Sequence, residues 1–180
     1  MKRNIQIGVI GSSGNNLDQE SCKLAKEIGK EIAKQKAILL TGGCLGYPYA
    51  AVKGAFEENG KIIGISPAKD REEHVAAYNF PIEGFSEIMY TGLGIPRRNY
   101  PLVEEADAVI LIGGRIGSLN EFTIAFHLSK VIGVLKGSGG ITEIIENIVE
   151  VCDKQDGRDK LIVHDKEPKK LIKKVIARLE

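Results

Sequence analysis

Ala108-Val109-Ile110-Leu111-Ile112 runs directly into Gly113-Gly114-Arg115-Ile116-Gly117-Ser118-Leu119-Asn120-Glu121. A wholly apolar, β-branched run of this length reads as a strand covered on both faces, the habit of parallel sheets flanked by helices. Its abrupt end in glycines, followed by a helical pattern, describes a strand-to-helix turn whose backbone can come close to an anion. Glu121 is expected in the first turn of that helix, beside whatever the loop holds. The stretch therefore offers a phosphate cradle with a carboxylate at its side.

The same grammar repeats along the chain. Strand-like runs occupy Ile5–Ile10, Ala37–Leu40, Lys61–Ile65, Glu87–Tyr90, Ala108–Ile112, Val131–Leu135 and Leu161–Val163. Stripes at helical spacing lie between several of them: Leu24, Ala25, Ile28 and Ile32; Ile141, Ile144, Ile145, Ile148, Val149 and Cys152; Leu171, Ile172, Val175, Ile176 and Leu179. Thr142 and Asp165 mark the starts of the last two helices. Alternating strands and helices imply right-handed βαβ units. The expected fold is a three-layer, Rossmann-like α/β domain with a mostly parallel sheet of about seven strands. A single domain over residues 1–180 is expected, with Ala68–Ile82 as an irregular crossover or lid.

Composition narrows the function classes. The 180 residues are 43% hydrophobic and 27% charged with a formal net charge of +1, so they fit a folded protein without a bias toward nucleic acid or anionic membranes. Apolar runs stay far below the roughly 20 residues needed to cross a bilayer, and the N-terminus has no signal-peptide core. Cys22, Cys44 and Cys152 are odd in number and scattered, which excludes a Cys-x-x-Cys zinc site or disulfide framework and fits a reducing cytoplasm. Cys22 and Cys152 fall in helical patterns and read as small core residues. His74, His127 and His164 are dispersed, with His127 read as partly buried packing, and no metal site is expected.

The glycines gather after the strands. Gly11-Ser12-Ser13-Gly14 follows the first, Thr41-Gly42-Gly43-Cys44-Leu45-Gly46 the second, Thr91-Gly92-Leu93-Gly94 the fourth and Gly137-Ser138-Gly139-Gly140 the sixth. In a parallel sheet all these turns share the carboxyl edge, where ligands of open α/β sheets bind. The candidate anion-binding residues are Gly11, Ser12, Ser13, Gly14, Gly42, Gly43, Gly46, Gly114, Arg115, Gly117 and Ser118. There is no G-x-x-x-x-G-K-[ST] and no G-x-G-x-x-G after the first strand, nor an acidic residue ending the second. A P-loop NTPase and a classical dehydrogenase are thereby disfavoured.

Two side chains stand beside this edge. Ile95-Pro96-Arg97-Arg98-Asn99 opens a helix, and an arginine there can offer its planar fork to a phosphate or pair with Glu104 or Glu105. Ser118-Leu119-Asn120-Glu121 also matches a capping box, which would occupy Glu121 with a backbone N–H. Tyr47, Pro48 and Tyr49 could stack on a base or pack against a neighbouring subunit. The Lys169-Lys170 and Lys173-Lys174 pairs read as the solvated face of the last helix.

These residues resemble a Rossmann-like family once labelled "possible lysine decarboxylases", which includes the Lonely-guy phosphoribohydrolases and molybdenum cofactor carrier proteins. Its signature, Pro-Gly-Gly-x-Gly-Thr-x-x-Glu with an Arg 23 residues before the Glu, is met by Gly113 to Glu121 and Arg98. Gly11-Ser12-Ser13 and Gly42-Gly43-Cys44-Leu45-Gly46 match its other loops, and the likeness spans residues 4 to 155. The resemblance implies Gly114, Gly117 and Ser118 on a phosphate, and Arg98 and Glu121 as catalytic residues cleaving the N-glycosidic bond of a nucleoside 5′-monophosphate. It equally implies the alternative of a non-catalytic nucleotide or molybdenum cofactor carrier. It further implies a homodimer or larger homo-oligomer, a small phosphorylated ligand of nucleotide or molybdopterin type, and no required cofactor. Gly113 stands for the signature Pro, Arg115 for the second Gly, Ser118 for Thr, and Asn99 for a Lys after the Arg. These departures resemble the carrier-type branch more than the cytokinin branch. No lysine suited to pyridoxal phosphate is evident, so the decarboxylase label finds no support.

Overall fold

A computed structural model describes residues 3–14, 17–152 and 157–180. Seven strands form one wholly parallel sheet: β1 (Gln6–Gly11), β2 (Ile38–Thr41), β3 (Ile62–Ser66), β4 (Glu87–Tyr90), β5 (Ala108–Ile112), β6 (Val131–Leu135) and β7 (Ile162–Asp165). The helices are α1 (Gln19–Lys34), α2 (Tyr47–Glu57), α3 (Arg71–Ala76), α4 (Gly94–Glu105), α5 (Ile116–His127), α6 (Ile145–Cys152) and α7 (Pro168–Leu179). Strand order is β4-β3-β2-β1-β5-β6-β7. The chain builds outward from β1 to β4, then returns to start again at β5. The loops after β1 and β5 therefore diverge to opposite faces, and the crevice between them is the topological switch point where ligands of such sheets bind.

Both faces of the sheet are covered, as the continuous apolar strands required. Ala108, Ile110 and Ile112 of β5 face α1, α2 and α7 through Ile28, Ala51 and Leu171, while Val109 and Leu111 face α4, α5 and α6 through Leu102, Phe122 and Ile145. This alternation on a strand with every residue buried is the physical basis of the three layers. The first pair of helices packs backbone to backbone. A Cβ on Gly29 would overlap the carbonyl of Ala51, and one on Gly54 would overlap that of Lys26. The helical stripe of α1 was legible in sequence; the need for glycine on both sides of its contact was not.

Several local expectations change. Thr142 does not open a long helix: it lies in a 3-10 turn (Gly140–Glu143), where its hydroxyl donates to the carbonyl of Gly139 at 2.7 Å, and α6 begins at Ile145. Asp165 closes β7 instead of capping α7, and its carboxylate accepts the Glu167 N–H at 2.9 Å. Cys152 is exposed and Cys22 only half-buried, because α6 buries little beyond Ile145 and Cys22 sits at the margin of the α1 contact. His127 is exposed at the end of α5. Within Ala68–Ile82 a short helix, α3, is capped by Asp70, whose carboxylate accepts the Glu73 N–H at 2.8 Å. No helix among the described residues is long and apolar enough to cross a membrane.

Candidate functional site

The loop after β5 turns on two glycines with positive φ, +58° at Gly113 and +103° at Gly114, conformations that side chains resist. Their N–H groups are already committed. Gly113 donates to the Ser138 hydroxyl at 2.8 Å and Gly114 to the Ser12 hydroxyl at 2.9 Å. Ser12 is thus a brace between loops: its carbonyl also accepts the Tyr47 N–H at 3.0 Å. The anion donors this loop leaves open lie one turn further on. Helix α5 starts at Ile116 with Arg115 at its N-cap and no side chain capping it, and its first internal bond runs from Leu119 N–H to Arg115 C=O at 2.9 Å. The N–H groups of Gly117 and Ser118 precede that bond, so they are the orphan donors of a helix start, biased toward negative charge by the helix dipole.

Those donors open into a cleft of about 210 Å³ between β1 and β5, at the carboxyl edge of the sheet. Gly11, Ser12, Ser13, Gly14, Gly42, Arg98, Arg115, Gly117, Ser118 and Glu121 line it. Gly43, Gly46 and Gly114 are not among the lining residues. Gly43 closes a turn by donating to the Thr41 hydroxyl at 3.1 Å. Gly46, at φ +90°, lets the start of α2 touch the β1 loop, where a Cβ would overlap the Ser12 carbonyl. Gly114 faces Ser118 and Ile141. Tyr47 is buried under the loop and Tyr49 stacks on Phe85 at 6.3 Å between ring centroids, so of this trio only Pro48 reaches the cleft.

Helix α4 delivers the basic side chain. Its residues Arg97 and Arg98 diverge: Arg97 is exposed and turns back to the Leu93 carbonyl at 3.0 Å, whereas Arg98, 4% exposed, enters the cleft. Gly42 provides the space, since a Cβ there would overlap the Arg98 guanidinium. Arg98 does not pair with Glu104 or Glu105; its Nη1 donates to Glu121 Oε1 at 3.4 Å, and its Nε is buried without a partner. An unmet buried donor of this kind costs about 1–3 kcal/mol. Beside the pair, Asn99 of α4 donates to Asn120 of α5 at 2.9 Å and locks the two helices together.

The capping-box expectation for Glu121 is overturned by the same geometry. Because α5 begins before Ser118, Glu121 lies in the second turn, with its carboxylate on Arg98 instead of the Ser118 N–H. Burial pushes its carboxyl up from the ordinary 4.5 to about 7, against the opposing pull of the Arg98 charge. Cys44 lines the same floor, and burial pushes its thiol up to about 11, so it stays protonated. Sequence reasoning missed Cys44 and Asn99 as lining residues. The glycine loop around Cys44 and its neighbour Gly42 pointed to the first; Asn99 carried the weaker signal of following Arg98 by one residue.

Comparison with known proteins agrees with this architecture. A molybdenum cofactor binding protein from Rippkaea orientalis superposes with a TM-score of 0.83 at 26% identity, covering 100% of both chains. The Moco carrier protein from Chlamydomonas reinhardtii superposes with a TM-score of 0.78 at 25% identity, covering 98% of each chain. An uncharacterized protein of Archaeoglobus fulgidus is 32% identical over 133 residues, 73% of this chain and 80% of that one. The label of lysine decarboxylase does not return among these matches. Residues 4–172 match the SLOG cluster4 family model, and the chain belongs to the SLOG cluster4 family.

Proposed function

We propose that the protein is a binding or carrier protein for a phosphorylated ligand of molybdopterin or nucleotide type, held in the cleft between β1 and β5. The observation that carries this reading is the uncapped start of α5, with the N–H groups of Gly117 and Ser118 opening into a cleft flanked by Arg115 and Arg98. Backbone donors and a guanidinium fork suit a phosphate, and the half-enclosed volume suits the heterocycle attached to it. The likeness to molybdenum cofactor binding and carrier proteins over the full chain supports a carried cofactor as cargo.

Hydrolysis of a nucleoside 5′-monophosphate is the second reading, favoured by the burial of Glu121 on the cleft floor beside Arg98, which pushes its carboxyl up to about 7, where it can give or take a proton. There, Glu121 would deprotonate a water attacking the anomeric carbon as the N-glycosidic bond breaks, yielding free base and ribose 5-phosphate. Mass spectrometry of ligand released from purified protein, with incubation in AMP and assay for free base, separates the two. The carrier reading expects AMP or a co-purified pterin phosphate to bind one to one and to be recovered intact. Base release that disappears in Glu121→Gln would hand the site to the hydrolase instead.

A further inference from the structure

Two cationic features serve this cleft at different depths. Arg115 is exposed at the N-cap of α5, its guanidinium about 4 Å from where a Gly14 Cβ would stand, so it belongs to the rim with the open N–H groups. Arg98 is buried on the floor, and its bonding is incomplete: one long contact to Glu121 and an Nε without a partner. The Glu121 carboxylate meets Arg98 only through that one 3.4 Å contact. A buried ion pair built for stability is short and fully hydrogen-bonded. This one is long, single-stranded and turned toward a cleft.

We propose that the floor of the cleft is a second anion subsite, in which an oxyanion of the ligand takes the Arg98 guanidinium while Glu121 takes up a proton. The ligand class follows: a molecule with two anionic ends, a phosphate at the α5 rim and a second oxyanion at Arg98. Binding of a singly charged oxyanion at the floor leaves the local charge unchanged, and a doubly charged one such as sulfate adds one negative charge instead of the two it would add without the proton. The incoming anion replaces the carboxylate as the partner of Arg98, and the proton comes from solvent. Without that proton, two negative groups would face one guanidinium among largely buried side chains.

The groups around Glu121 leave it as the one that titrates. The Arg98 guanidinium faces it from α4, the Cys44 thiol, pushed up to about 11 by burial, faces it from the loop after β2, and the Arg115 guanidinium stands on the rim at the start of its own helix. The raised value of Glu121 puts the exchange near neutrality. The cleft would thus load in mildly acidic and release in mildly alkaline surroundings.

This inference rests on the anion-binding reading above, and its test separates the two. Sulfate is the probe, because it keeps its double charge throughout, and its affinity is measured calorimetrically from about pH 5.5 to about pH 8.5 on either side of Glu121. Expected is constant affinity below about pH 6 and a loss of about tenfold per pH unit above about 7. Repeating the titration at pH 7 in buffers of different ionisation enthalpy should show uptake of about half a proton, a readout that needs no variant. Glu121→Gln should bind with no slope, and Arg98→Gln should lose the pH-dependent component. Sulfate binding without slope or proton uptake overturns the coupling while leaving the anion site in place. Failure of both sulfate and AMP to bind overturns the coupling and the proposed function together.

Discussion

Two buried polar clusters lie on the carboxyl edge of this sheet, and they are built to opposite rules. At the end of β3, His74 is fully buried with both ring nitrogens engaged: Nδ1 with the Ser66 hydroxyl at 2.8 Å and Nε2 with the Pro81 carbonyl at 3.0 Å. The Pro81 carbonyl can only accept, so Nε2 donates a ring proton to it, and the Ser66 hydroxyl oxygen also accepts the Ala68 N–H at 3.1 Å. Phe80 and Tyr90 enclose the imidazole edge-on at 5.5 and 5.7 Å. Across the edge, Arg98 and Glu121 share one 3.4 Å contact and leave an Nε unmet. Both clusters bury titratable groups, but only the second opens to a cleft. Satisfied bonding marks the cluster that holds the crossover in place; unfinished bonding marks the one that we propose takes a ligand.

The largest effect that could break this contrast is on stability. His74→Ala opens a cavity and strips the partners of Ser66 and Pro81, so it should cost about 3–4 kcal/mol, a fall in Tm of roughly 10 °C. Affinity of the folded protein for sulfate should not change. If the variant melts like the wild type, satisfied bonding does not distinguish a structural cluster, and the comparison fails.

Glu121→Gln should act the other way. A carboxyl raised from 4.5 unfolded to about 7 folded binds its proton more tightly in the native state. Its contribution is fully present below about pH 4.5 and is lost as pH rises through about 7. Glu121→Gln, which cannot ionise, should therefore match the wild type near pH 4.5 and exceed it by about 2–3 kcal/mol at about pH 8 in urea denaturation. A variant less stable than the wild type at pH 8 would mean that the pair with Arg98 holds the fold together, as His74 does.

The contrast also explains what could be read in the sequence. Seven strand runs and the three layers follow from periodicity, because side-chain alternation and βαβ handedness are local rules. β4, β5 and β6 have the bounds that their sequence runs indicated, and β7 begins one residue later and ends two residues later than expected. The 23-residue offset from Arg98 to Glu121 brought together two side chains that do meet. The direction of the loop donors was less legible. Gly113 and Gly114 signal a turn, but which of its N–H groups stay free depends on Ser12 and Ser138, which are distant in sequence. The capping box misled for a related reason: the pattern fits Ser118 to Glu121 locally, but the helix starts at Ile116 and Glu121 turns to Arg98, a residue of α4 distant in sequence. His74 showed no signal at all, since a lone histidine in an irregular, charged stretch gives no hint of the Ser66 and Pro81 partners that bury it.

The smallest effect concerns the rim. Arg115 is exposed, and as N-cap it contributes no side-chain hydrogen bond to α5, so Arg115→Ala should leave stability within about 0.5 kcal/mol of the wild type. On the proposed reading its contribution to binding is that of a solvated charge beside a phosphate, worth about 1 kcal/mol, so sulfate or AMP should bind about fivefold more weakly. Being exposed, that contribution should fade with added salt, because screening over about 10 Å removes most of it. The floor should behave differently: Arg98 is 4% exposed, so its contribution should depend on pH through Glu121 and less on ionic strength than that of Arg115. Measured together, salt sensitivity lost in Arg115→Ala and pH sensitivity lost in Arg98→Gln would establish two subsites of different depth. A loss of a hundredfold or more in Arg115→Ala would instead make the rim arginine the anchor and reduce the buried pair to a support for it.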